Sequence, residues 1–238
     1  MRVPLVLVPG LLCDRLLWEP QIAHLAEVAD AWVADHTRHD SMAAIARAIL
    51  AEAPAERFAL AGLSMGGFVC FELMRQAPER VTRLALLDTR ATPDTPEQSA
   101  ARRALVARAA RGEFAAVADE LLGLYLPPER RDGDLAAIGR RMALNVGPEA
   151  FARQEQAIIG RPDSRPDLPG YRCPTLVLCG REDRATPLAG SEEIARAIPG
   201  ARLRVIERCG HLSTLERPAE TGAALRAWLL EPEGRAPV

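Results

Sequence analysis

The chain has 238 residues, 48% of them hydrophobic and 26% charged, with a formal net charge of -2. That length suits one domain with an insertion, and the near-neutral charge leaves no broad basic surface for nucleic acid or an anionic membrane. All 30 basic residues are arginines, which excludes lysine Schiff bases, Walker-type phosphate lysines and lysine general bases.

The first apolar run, Val3–Val8, is too short to span a membrane and reads as a buried strand. Further strands are expected at 31–34, 57–61, 84–87, 175–179 and 203–206. Several are apolar throughout, as a parallel sheet covered on both faces requires. Helical periodicity fills the intervals 16–28, 41–53, Met65–Gln76, 191–197 and 218–230, with Ser41 as an N-cap and Pro218 in a first turn. This alternation implies an open parallel α/β sheet, with ligands beyond the carboxyl ends of its strands. The alternation stops between residues 92 and 169, where Pro/Asp-rich borders enclose Arg/Ala-rich helical sequence. We read residues 1–91 and 170–238 as the two parts of a core and 92–169 as a helical cap. The tail 231–238 is expected to fray. Cys13, Cys70, Cys173, Cys179 and Cys209 form an odd set without C-x-x-C spacing. That pattern suits reduced thiols in a cytoplasmic protein better than a disulfide framework or a zinc site.

The chemistry concentrates at Gly62-Leu63-Ser64-Met65-Gly66-Gly67, a G-x-S-x-G run between an expected strand and an expected helix. Such a corner projects a serine hydroxyl from the end of a sheet, although a Gly-rich turn can also bind phosphate. A base must reach that serine for it to act as a nucleophile. His211, after a strand and a glycine, is the candidate; His24 reads as a surface or packing residue. His36 and His39 sit in Asp35-His36-Thr37-Arg38-His39-Asp40, which reads as a polar loop. Asp183 would orient the imidazole, with Glu182 and Asp88 as rivals; Asp183 is favoured because it lies further into its loop. Leu11, after Pro9-Gly10, and Met65 would offer backbone N–H groups to a developing oxyanion.

The segments Val8-Pro9-Gly10-Leu11, Gly62 to Gly67, Gly180-Arg181-Glu182-Asp183 and Gly210-His211 resemble the α/β-hydrolase fold family over nearly the whole chain. The resemblance implies a mostly parallel sheet of about six strands flanked by helices, with an inserted helical cap. It implies Ser64 as nucleophile, His211 as base, Asp183 as orienting acid, and Leu11 and Met65 amides as the oxyanion hole. Two departures stand out: Pro9-Gly10 replaces the usual His-Gly, and the usual N-terminal antiparallel strands are missing. The chain is similar to small carboxylesterases of the pimeloyl-[acyl-carrier protein] methyl ester esterase kind and to 3-oxoadipate enol-lactonases.

The expected activity is therefore hydrolysis of a small carboxylic ester or lactone through an acyl-enzyme. Thioester, amide or C–C hydrolysis and haloperoxidase-like side activity stay open. A serine at the corner, where dehalogenases and epoxide hydrolases of this fold carry aspartate, argues against those two. A non-catalytic receptor of the same fold is the rival of a different class. No cofactor or metal is implied, and an acyl-carrier protein stays open as a partner without a residue pattern that supports it. Phe114, Leu121, Tyr125 and Phe151, with Leu122, Leu124 and Met142, are candidates for an apolar acyl pocket, or simply for cap packing. The pairs Arg102-Arg103, Arg130-Arg131 and Arg140-Arg141 could receive an acidic carrier protein or a substrate carboxylate, but read first as solvated helix faces.

Overall fold

The computed structural model describes residues 2–231, so the expectation for the tail beyond Glu231 lies outside the described residues. Six strands form one sheet: β1 (Val3–Val8), β2 (Ala29–Val33), β3 (Phe58–Leu63), β4 (Val81–Leu87), β5 (Thr175–Gly180) and β6 (Arg202–Ile206). Their spatial order is β2-β1-β3-β4-β5-β6, and every pairing is parallel. The helices are α1 (Glu19–Leu25), α2 (Met42–Glu52), α3 (Met65–Gln76), α4 (Pro96–Arg108), α5 (Phe114–Tyr125), α6 (Asp134–Ile159), α7 (Leu188–Ala197), the short α8 (Ser213–Glu216) and α9 (Pro218–Leu229).

Period-2 geometry divides each central strand between two cores. Val6, Val8, Leu60, Leu84, Leu86 and Val177 pack with residues of α2, α3 and α7 on one face. Leu5, Leu7, Ala61, Leu63, Leu87 and Leu178 pack with residues of α1 and α9 on the other. Two buried faces explain why these strands lack alternating polarity, each buried large side chain contributing roughly 1.5–3 kcal/mol.

Elements form where caps and prolines allow. Ser41 Oγ accepts the Ala44 N–H at 3.3 Å, opening α2. Thr95 and Gln98 form a reciprocal capping box at the start of α4. Residues 16–28 do not form one helix as expected: a 3-10 turn over Arg15–Leu17 precedes α1. Pro20 has no N–H and starts a new first turn there. β4 begins at Val81, earlier than expected, because Arg83 is buried with its guanidinium on the Trp228 carbonyl at 3.2 Å.

Register brings the strand ends level. Val8 pairs with Gly62, Leu63 with Leu87, Leu87 with Leu178, and Gly180 with Ile206. The loops leaving β1, β3, β4, β5 and β6 therefore meet at one edge. Helices α4, α5 and α6 lie in sequence between β4 and β5, and Arg102, Leu121, Tyr125 and Ile158 from them border the space above that edge. Among the described residues, no helix is long and apolar enough to cross a membrane.

Candidate functional site

Ser64 closes β3 and caps α3 with φ 57° and ψ −115°, a conformation L-residues rarely adopt. Its N–H donates to Leu87 O at 2.9 Å, and its carbonyl accepts Thr89 Oγ1 at 2.8 Å. The corner needs its glycines for space: a Cβ on Gly66 would come within 2.1 Å of Val8 O, and one on Gly62 within 2.3 Å of Gly66 O. Three other described non-glycine residues have positive φ: Leu12 after β1, Asp88 after β4 and Arg208 after β6. All four stand in loops at the same edge of the sheet, so the backbone strain is gathered where the candidate residues meet.

His211 Nε2 lies 2.8 Å from Ser64 Oγ, and His211 Nδ1 lies 2.8 Å from Asp183 Oδ2. Asp183 Oδ1 accepts the Ala185 and Thr186 N–H groups, both at 2.9 Å, and Oδ2 accepts Thr186 Oγ1 at 2.7 Å. Burial opposes ionisation of Asp183, but the nearby imidazole and the Thr186 donors outweigh it and hold the carboxyl below its ordinary range. Burial likewise opposes protonation of His211, yet Asp183, with Asp88 and Glu216 behind it, raises that imidazole above its ordinary value. A hydroxyl, an imidazole and a carboxylate in this series can pass a proton away from Oγ.

The histidine loop is held from several sides. His211 N–H donates to Tyr125 O at 3.1 Å, and the two rings lie 4.9 Å apart. The Gly210 and Leu212 amides donate to the buried Glu216 carboxylate at 3.0 and 3.1 Å. Of the two rivals to Asp183, Glu182 is exposed and its side chain makes no hydrogen bond to His211. Asp88 is fully buried but turns away from the imidazole, accepting Gly180 N–H at 2.9 Å and the Ser213 hydroxyl. Burial, reinforced by the Asp183 charge, pushes the Asp88 carboxyl up to about 8.

Leu11 and Met65 border the same cavity as Ser64 and His211, and the backbone N–H of neither has an acceptor among the described residues. The Leu11 loop is braced from afar. Leu12 N–H donates to Gln154 Oε1 at 3.2 Å, and His36 Nε2 lies 3.0 Å from Gly10 O. The segment is a loop as expected, but the His36 side chain turns inward: it is 2% exposed, and burial lowers its pKa.

The cavity over Ser64 measures about 70 Å³. Leu121, Leu124 and Tyr125 from α5 border it with Phe68 and Arg102. Leu122 and Met142 border a smaller neighbouring space instead. Phe114 and Phe151 border neither; their rings face each other at 6.0 Å within the packing of α5 and α6. Wider openings, about 870 Å³ beside Tyr171 and about 610 Å³ beside Leu203, contain none of Ser64, Asp183 or His211.

Of the arginine pairs, Arg103, Arg140 and Arg141 are solvated as expected, and Arg102 departs from that expectation. Arg102 is drawn inward onto Asp94 and Glu155 at 2.6 and 2.7 Å. Sequence reasoning had no local signal for this cluster, nor for His36 and Gln154, because their partners are far apart along the chain.

Asp88, Cys179 and Asp183 bring potential ligand atoms within 4.8 Å of one another. They make a poor metal site: both carboxyls are engaged by protein donors, and burial raises the Cys179 thiol strongly. All five cysteines are free thiols.

The family described as alpha/beta hydrolase fold matches residues 3–218. A pimeloyl-[acyl-carrier protein] methyl ester esterase from Aromatoleum aromaticum is 31% identical over 199 residues, covering 77% of this chain and 78% of that protein. A thermophilic esterase from Thermogutta terrifontis, solved with malate bound, superposes with a TM-score of 0.88 at 32% identity, covering 95% of this chain and 89% of its own. An enol-lactonase from Burkholderia xenovorans LB400 gives a TM-score of 0.87 at 26% identity, covering 97% and 91%.

Proposed function

We infer the reaction from one premise: this chain belongs to the alpha/beta hydrolase fold family. On that basis we propose a serine hydrolase that cleaves a small carboxylic ester or lactone through an acyl-enzyme. The observation that carries the reading is the continuous series of 2.8 Å contacts from Ser64 Oγ through His211 to Asp183.

In this reaction His211 Nε2 takes the Ser64 proton as Oγ attacks the carbonyl carbon. The Leu11 and Met65 amides receive the oxyanion, each such donor stabilising the transition state by roughly 3–4 kcal/mol. The protonated imidazole gives its proton to the departing alkoxide, leaving an ester on Ser64. Water then surrenders a proton to Nε2, attacks the acyl carbon and returns Ser64 with its proton. Asp183 holds Nδ1–H throughout and stabilises the imidazolium. Residues 92–169 act as the cap. The 70 Å³ cavity is below the ~300–1,000 Å³ of typical ligand pockets, so this closed form suits a small acyl group.

A fluorophosphonate probe tests the reading. We expect it to label the protein, and Ser64→Ala to abolish both labelling and turnover of 4-nitrophenyl esters and lactones of graded size. A folded protein that neither labels nor turns over any of them would instead be a non-catalytic receptor. Because His211 must be neutral to accept the proton and its pKa is raised above 6.5, the acid limb of kcat/KM should lie above pH 6.5.

A further inference from the structure

The cavity over Ser64 has a second polar wall that the reaction above does not use. Arg90, just beyond β4, and Arg102, on α4, both border it. Behind them stands Arg161, its guanidinium 4.2 Å above the Phe68 ring. All three converge on Asp94: Arg90 Nη2 at 2.6 Å, Arg102 Nε at 2.6 Å and Arg161 Nη2 at 2.8 Å. Arg102 also reaches Glu155 at 2.7 Å. The side chains of Asp94, Glu155 and Arg161 are only 1%, 0% and 4% exposed.

The charges in this cluster do not cancel. Three guanidiniums, of Arg90, Arg102 and Arg161, face two carboxylates, of Asp94 and Glu155. Arg90 uses Nη2 alone, on Asp94 and Gln98; its Nε is buried and finds no acceptor among the described residues. A buried guanidinium N–H without an acceptor is costly, and guanidiniums are matched in shape and charge by a planar carboxylate. Arg90 and Arg102 border the same small space as the reacting hydroxyl, so a ligand that meets Ser64 also meets surplus positive charge.

We propose that this wall is a carboxylate subsite formed by Arg90 and Arg102. The substrates are then short esters or lactones that carry a carboxylate a few bonds from the scissile carbonyl. This deepens, and rests on, the hydrolase reading above. The carboxylate docks on the arginines and sets the acyl carbon over Ser64, so charge selects the substrate and fixes its direction.

The test compares the 4-nitrophenyl monoester of glutaric acid with its methyl-capped, uncharged counterpart. Wild type should favour the charged ester by at least tenfold in kcat/KM. Arg90→Gln should cut that ratio at least tenfold, mainly through KM for the charged ester. Arg90→Lys, which keeps the charge but not the fork, should give an intermediate ratio and serves if Arg90→Gln does not fold. A wild-type ratio near one, or a ratio unchanged in both variants, overturns the subsite. A second readout needs no turnover: calorimetric binding of glutarate to Ser64→Ala, expected to be lost when Arg90→Gln is added. No glutarate binding to folded Ser64→Ala also overturns the subsite. If Ser64 resists the fluorophosphonate while glutarate binds in an Arg90-dependent way, the hydrolase reading falls and the subsite stands.

Discussion

The sheet edge and the helices above it are held by different physics. At the edge, backbone decides: Gly66 lets the Ser64 corner approach Val8 O, and level strand ends set the His211 and Asp183 loops beside it. In the segment from α4 to α6, buried charge decides, with Asp94 gathering three arginines from positions 90, 102 and 161. Backbone constraints leave short sequence signatures. Charge clusters assembled from distant residues leave none. The contrast also separates the proposed roles: bond-making at the edge, and selection of what reaches it by the helical segment.

The largest break is at the edge. Asp183→Asn should leave the fold intact and lower kcat by ~10⁴, because the amide cannot hold Nδ1–H toward itself; steady-state kinetics and circular dichroism check this. Gly66→Ala should cost about 4 kcal/mol and lower activity with it, since the added Cβ meets a backbone oxygen that has nowhere to go. Thermal unfolding and kcat measured on the same preparation would reveal the coupling. Asp94→Asn should cost about 3 kcal/mol by leaving buried arginines poorly paired. Here limited proteolysis is the sharper readout: cuts within residues 92–169 should appear before the sheet is attacked.

The smallest effect tests the edge's own electrostatics. With its pKa pushed from 3.8 to about 8, Asp88 disfavours the folded state progressively as pH rises from about 4 to about 8. Asn at this position keeps an acceptor for Gly180 N–H and tolerates the positive φ of 44°. Asp88→Asn should therefore flatten the pH dependence of Tm across that range. Asn bonds Gly180 N–H and the Ser213 hydroxyl more weakly than the carboxylate does, which offsets most of this gain, so at pH 7 its Tm should be higher by only roughly 2–4 °C, equivalent to about 1 kcal/mol.

Much of the edge was legible in advance. The glycine spacing around Ser64, the strand before it and the helix after it follow from local sterics, and α3 begins and ends where periodicity predicts. His211 and Asp183 could be nominated from sequence because each lies shortly after a glycine that follows an expected strand. The covering helices were readable only as helices. Phe114 and Phe151 look like pocket residues by composition, yet they pack on each other; Arg102 looks like part of a solvated face, yet it turns inward to Asp94 and Glu155. His36 reads as polar from its charged neighbours, but its fate depends on Gly10 and Gln154, which sequence alone does not bring near. Side-chain destination in a helix bundle depends on how helices cross, and no short pattern encodes that.

The four left-handed residues Leu12, Ser64, Asp88 and Arg208 carry one more consequence. Each holds its backbone uphill by roughly 1–3 kcal/mol, and glycine would relax it. At Ser64 the proposed chemistry and heat tolerance therefore pull in opposite directions, because glycine there would also remove the hydroxyl. A lineage selected only to survive boiling would soften these corners first, and would lose its trade before its shape.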